Sequence, residues 1–187
     1  DNCEAIGAKC NERYLGTIAD IGVMSFDHGK MIACGEGGMV LTNRKDYVDF
    51  VSQYSDHGHE NNPNLPRGKD RRIMPGFNYR LTEIQAAIGK VQLSKLEFML
   101  NENKKRYEIL RESISKVSKV RSELPFHQGS YDTFIVSIKD TLLKQKIISF
   151  LNESNFGTKN LPDAMEWHCS FYWQHAIDQE QIINSKH

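Results

Sequence analysis

The hydrophobic and polar positions of this chain fall into a run of short apolar segments followed by long amphipathic ones. Ile21-Gly22-Val23-Met24-Ser25-Phe26 is apolar and partly β-branched, which predicts a short buried strand. Gly38-Met39-Val40-Leu41-Thr42 predicts a second strand. Tyr47, Phe50 and Val51 carry a helix from about Arg44 to Gln53. Thr82-Glu83-Ile84-Gln85 fits a capping box, in which hydroxyl and amide satisfy the free backbone donors of a helix start. Leu81, Ile84, Ile88 and Val91 then recur at helical spacing, and Leu93, Leu96, Met99, Tyr107, Leu110 and Ile114 prolong the stripe. Glu102, Lys104, Arg106 and Arg111 lie on the wet face, so the pattern describes one long bent helix or two. Near Lys116-Val117 the character changes. Tyr131 to Ile138 reads as a strand and Leu142 to about Ser154 as an amphipathic helix, a second and smaller α/β unit. The expected division is 1–115 and 116–187.

Between these segments, residues 55–77 are rich in proline and turn formers, with Asn61-Asn62-Pro63-Asn64-Leu65-Pro66-Arg67-Gly68 at their centre. A loop of this length in a compact protein is usually functional or disordered.

Composition narrows the function classes. The 187 residues carry 24 Lys+Arg against 24 Asp+Glu, a formal net charge of zero. Nucleic-acid grooves and anionic membranes both select a basic excess, so neither is the expected partner. No stretch approaches the ~20 apolar residues of a membrane span. Asp1-Asn2-Cys3-Glu4 does not read as a signal peptide. Cys3, Cys10, Cys34 and Cys169 form no Cys-x-x-Cys pair, and the expected setting is the reduced cytoplasm. The chain reads as starting partway through a domain, because the two strands need neighbours to close a core.

Three constellations bear chemistry. Ser25-Phe26-Asp27-His28-Gly29-Lys30, followed by Gly35-Glu36-Gly37-Gly38, puts a lysine on a turn just past a buried strand. Partial desolvation there lowers an amine's pKa and makes it nucleophilic. The same residues also describe an ordinary hairpin with a lysine facing water. Asp1 to Ala8 offers a carboxylate, which alone reads as a solvated end. Pro75-Gly76-Phe77-Asn78-Tyr79-Arg80-Leu81 sets an amide, a phenol and a guanidinium before a helix N-terminus, where anions bind. Asp56-His57-Gly58-His59-Glu60 has ligand-like spacing, but His-x-His on a loop reads as polar packing or a substrate-loop feature, with His57 as the substrate-side residue and no metal expected. Trp167, His168, Trp173 and His175 read as packing of the small domain.

Taken in order, Asp1-x-x-x-Ala5-x-Gly7-Ala8, then Asp20-Ile21-Gly22-x-x-Ser25-Phe26-x-x-x-Lys30-x-x-x-x-Gly35-Glu36-Gly37-Gly38-Met39-Val40, then Gly76-x-Asn78-Tyr79-Arg80-x-x-Glu83-x-Gln85-Ala86-Ala87-Ile88-Gly89-x-x-Gln92-Leu93 resembles the second half of the DegT/DnrJ/EryC1/StrS family of pyridoxal-phosphate (PLP) dependent sugar aminotransferases. The resemblance is specific over residues 1–110. It implies an α/β fold: the later strands of the fold type I large domain, whose sheet is mostly parallel between helices, the linking helix, and a small C-terminal α/β domain. It implies that Lys30 bonds the cofactor, that Asp1 meets the pyridine nitrogen, and that Ser25 binds the phosphate. Asn78 then reaches the cofactor phosphate of a partner subunit, which makes a homodimer with shared sites, and Arg80 either takes an acidic substrate group or is structural. Glu4 stands where the family usually has Gln or His near the ring hydroxyl. The implied reaction moves an amino group from a donor, usually glutamate, to a keto- or aldehyde-sugar in amino-sugar or surface-polysaccharide biosynthesis. Lysine rather than histidine at position 30 favours transamination over dehydration. Asp56 to Gly68 with Gly157 to Ala164 is similar to the subgroup forming 8-amino-3,8-dideoxy-manno-octulosonate. Because the family's N-terminal half supplies a phosphate cradle and a ring-stacking aromatic, a non-catalytic fragment or scaffold half is the alternative reading.

Overall fold

A computed structural model describes residues 1–66, 68–115, 128–159 and 175. Two compact units divide it, Asp1–Ser137 and Ile138–His187. Trp167, His168, Trp173 and the stretch 160–164 lie outside the described residues.

The first unit opens on a tight hairpin, β1 (Lys9–Cys10) against β2 (Arg13–Tyr14). Its two turn residues, Asn11 and Glu12, both have positive φ, the twist that matches antiparallel strands. Next, β3 (Gly22–Ser25) pairs antiparallel with β4 (Gly38–Leu41), Gly22 opposite Leu41 and Ser25 opposite Gly38. Both expected strands therefore form. Among the described residues these two antiparallel pairs are the sheets, and no parallel pairing occurs. A parallel neighbour requires a long crossover, whereas the chain from Phe26 to Gly37 folds straight back. Apolar Met39 and Val40 stay exposed on β4.

Gly22 is required where it stands. A Cβ there would fall 1.8 Å from the Gly16 carbonyl oxygen. The turn at Gly16 is thus pressed against the start of β3.

Helix α1 (Lys45–Ser55) starts one residue past the expected point and is laced by Arg44–Asp46 and Lys45–Asp49 pairs. The long amphipathic pattern resolves into two helices, α2 (Glu83–Leu93) and α3 (Leu96–Ile114). The capping box at Thr82 and Gln85 is formed in both directions. The break falls at Ser94, whose hydroxyl donates to the Val91 carbonyl at 2.7 Å and so competes with the backbone ladder. On α3, Leu96, Met99, Leu100 and Tyr107 form the inward stripe, with Leu100 and Tyr107 buried. Leu96 and Met99 pack on a small core of Phe26, Ile32 and Cys34, joined by Ile6 and Met24. By contrast α2 buries none of its side chains, and Ile84 is 75% exposed with Ile88 and Val91 beside it on the same face.

The strand expected from Tyr131 to Ile138 is not present over the described residues. Tyr131 has φ 56°, outside extended geometry. The segment is held instead by rings: Tyr131 and Phe134 meet buried Tyr107 edge-on, with centroids 5.4 and 4.9 Å away. In the second unit, the expected helix forms as α4 (Thr141–Glu153), capped by the Asp140 carboxylate accepting from the Leu143 N–H at 3.0 Å. Among the described residues no helix is long and apolar enough to cross a membrane.

Gly22→Ala should destabilise the first unit by about 3 kcal/mol, the scale of a forced backbone shift in a packed site. A urea denaturation midpoint that matches the parent chain would contradict this account of the Gly16–Gly22 contact.

Candidate active site

The lysine turn is built by its neighbours. Phe26, the first residue past β3, is buried; its N–H donates to the Gly37 carbonyl (2.8 Å) and its carbonyl accepts from the Cys34 N–H (3.0 Å). Between these anchors the chain makes a tight turn, Lys30 N–H to Asp27 carbonyl at 2.9 Å. Ile32, 1% exposed, pins the far side. The Lys30 side chain is thereby held at 20% exposure on the wall of a cavity of about 550 Å³. Glu4, Met31, Met99, Asn103, Arg106 and Asp132 also line it.

Asp1 and Ser25 attach to the same strand. The Asn2 N–H donates to the Val23 carbonyl at 2.9 Å, which lays the start of the chain alongside β3. The Asp1 carboxylate is exposed and accepts from the Cys3 N–H at 2.9 Å. Ser25 ends β3; its oxygen receives the Asp27 N–H at 3.4 Å, so its own O–H remains available as a donor. Asn2 itself is buried, and its side-chain amide has no partner among the described residues.

The electrostatics of Lys30 correct the sequence reading. The Glu4 carboxylate contacts Nζ directly. That hydrogen bond, the largest influence, raises the amine's pKa above its ordinary value, outweighing the partial desolvation that opposes it. Asp27 and Cys3 add smaller effects in the same direction as Glu4. The expected lowered pKa is therefore not found, because position 4 carries an acid within reach of the amine.

His57, Asn78 and Arg80 assemble elsewhere. The loop after α1 folds back on residues 77–79: Phe77 N–H to Tyr54 carbonyl (2.8 Å), His57 N–H to Phe77 carbonyl (3.0 Å) and Tyr79 N–H to Ser55 carbonyl (2.9 Å). Asn78 and His57 are exposed, and Arg80 is bound to the Asp56 carboxylate. None of the three lines the Lys30 cavity. Around them Phe50, Tyr54, Phe77 and Tyr79 form an aromatic group with centroids 5.4–6.2 Å apart, and Phe50, Phe77 and Tyr79 are exposed.

His59 has a structural role. Its Nδ1 lies 2.7 Å from an Asp70 oxygen, and the other Asp70 oxygen accepts from the Asn61 N–H at 3.0 Å. Both side chains are nearly excluded from solvent. Burial pushes the Asp70 carboxyl up, but the His59 and Asn61 hydrogen bonds overcome it and leave the group below its ordinary value. Sequence spacing gave no signal for this pair, nor for the α3 and Asp132 walls of the cavity, which come from chain about 70 to 100 residues past Lys30.

The sequence profile of the DegT/DnrJ/EryC1/StrS aminotransferase family matches residues 1–186. Lipopolysaccharide biosynthesis protein RfbH of Salmonella typhimurium is 27% identical over 187 aligned positions, covering 86% of this chain and 43% of that protein. GDP-perosamine synthase of Escherichia coli O157:H7 is 34% identical over 123 positions, covering 66% of this chain and 32% of its own length. A solved GDP-4-keto-6-deoxymannose-3-dehydratase with a trapped PLP-glutamate geminal diamine superposes with a TM-score of 0.76 at 22% identity, over 97% of this chain and 49% of its own. That likeness shows the fold, the mixed α/β architecture of the PLP-dependent fold type I enzymes. The chain spans less than half the length of these relatives.

A depressed carboxyl contributes stability above its unfolded value, here 3.8, and loses it as pH falls through the folded value. The loop around His59 and Asp70 should therefore stay protected from proteases down to about pH 4 and open below it. Asp70→Asn should make the loop open at neutral pH; unchanged cleavage of residues 55–77 in that variant would refute the pinning role.

Proposed function

The chain belongs to the DegT/DnrJ/EryC1/StrS aminotransferase family, and from that premise we propose that the protein is a PLP-dependent aminotransferase acting on a keto- or aldehyde-sugar. The observation that carries the reading is the Lys30 amine on a cavity wall at the end of the strand that also positions Asp1 and Ser25. An amine, a carboxylate and a hydroxyl are the donor set suited to a cofactor with an aldehyde, a basic ring nitrogen and a phosphate.

When bound, PLP supplies an electron sink for a carbon that loses a proton. Lys30 Nζ would hold the cofactor's aldehyde carbon and, as a free amine, would take up and release a proton at its own nitrogen. The Asp1 carboxylate keeps the ring nitrogen protonated, since opposite charge favours the charged form. The Ser25 O–H donates to a phosphate oxygen. Glutamate is the donor and a nucleotide-linked keto-sugar the acceptor; the GDP-perosamine synthase relative supports the latter. The protein works as a homodimer, with Asn78 serving the partner's site. Support comes from its exposure away from the Lys30 cavity of its own chain, and from the exposed aromatic group beside it.

The full-length protein with PLP should show the visible absorption of a lysine-bound cofactor, lost on adding glutamate. Lys30→Ala should abolish that absorption and cut turnover by roughly 10³-fold or more, the upper range for losing a positioned acid–base group. Persistence of the visible band in Lys30→Ala would rule the reading out.

A further inference from the structure

We propose that Glu4 is a positioning residue that latches Lys30, holding its amine out of reaction until the carboxylate is displaced. The proposal rests on the reading of Lys30 as the cofactor-bonding amine and adds a regulation of that amine. Three carboxylates line the cavity with Lys30: Glu4, Glu102 and Asp132. Glu102 is engaged by Lys105 at 2.6 Å, and Asp132 accepts from the Ser130 hydroxyl at 2.9 Å. Arg106, the other cation on the wall, lies near Glu102. Asp27 and Cys3 act on Lys30 only at longer range. Glu4 alone of these acids makes a direct hydrogen bond to Nζ.

The backbone around Glu4 is fixed, so the pairing is built in rather than incidental. Asn2 is tied to Val23, Ala5 N–H returns to the Asn2 carbonyl at 3.3 Å, and Ala8 N–H to the Ala5 carbonyl at 3.0 Å. On the lysine side, the Asp27–Lys30 turn and buried Ile32 fix the stem. The Glu4 carboxylate itself is 74% exposed, so an incoming polar group can swing it away without unfolding anything. Capture of an aldehyde needs neutral Nζ: the ammonium first gives its proton to solvent, the nitrogen then bonds the carbonyl carbon, and the oxygen leaves as water. The ammonium form that Glu4 stabilises cannot take that first bond.

The test is competitive acetylation of the full-length, cofactor-free protein by acetic anhydride across pH, read by peptide mass spectrometry. Neutral amine attacks the anhydride and acetate departs, so labelling follows the deprotonated fraction. The readout is the ratio of Lys30 to exposed Lys90, which cancels general changes in reagent or fold. In the parent protein the Lys30 profile should lie at higher pH than that of Lys90. Glu4→Gln should raise the ratio about two- to fivefold at neutral pH, the scale of a solvent-accessible ion pair. Glu4→Asp, with the charge withdrawn by one methylene, should give a smaller rise. Ratios unchanged in both variants overturn the latch. A visible cofactor band persisting in Lys30→Ala would instead strike the parent reading and leave these ratios as they are.

Discussion

The placement of the Lys30 amine depends on how a four-residue turn is clamped. Phe26 exchanges backbone hydrogen bonds with Gly37 and Cys34, and Phe26, Ile32 and Cys34 bury their side chains together. The intervening Asp27–Lys30 turn has little freedom left. A lysine on a loose loop would sample many rotamers at an entropic cost on ordering; here the stem is set by the core beneath it. The same core receives Leu96 and Met99 of α3, so the helix that walls the cavity and the turn that carries the amine are positioned by one packing event.

Much of this was legible from residue order. The two strands around the glycine turn, the capped helix start at Thr82 and the α4 helix follow from local periodicity and capping chemistry, which need no distant partner. The turn lysine, too, was visible as Ser25-Phe26-x-x-x-Lys30. What escaped the sequence depends on long-range placement. Tyr131–Ile138 alternates like a strand, yet its rings are claimed by Tyr107 of α3 and its first residue turns left-handed. The raised pKa of Lys30 depends on Glu4, 26 residues earlier, and no local rule tells whether a desolvated amine will find an acid. The His59–Asp70 pair closes an irregular loop whose composition signalled only turns.

The candidate residues separate into two neighbourhoods. Glu4 meets Lys30 on the turn after β3, and Asn2 bonds alongside β3, which ends at Ser25; His57, Asn78 and Arg80 gather where the loop after α1 meets the entry to α2. Backbone bonds from Tyr54, Ser55 and His57 to residues 77–79 make the second neighbourhood as well defined as the first. Gly58 matters there because its φ of 77° suits glycine, and a Cβ would strike the Met74 carbonyl oxygen at 1.7 Å. Arg80 is committed to Asp56, so its charge serves first to brace the loop that presents Asn78.

The bare face of α2 has a practical corollary. Ile84, Ile88 and Val91 sit on a helix with none of its side chains buried, and a contiguous greasy stripe of that kind is what makes purified segments clump. Handled by itself at high concentration, this stretch of chain would sediment or coat surfaces, and its scattering profile would reflect adhesion through that stripe.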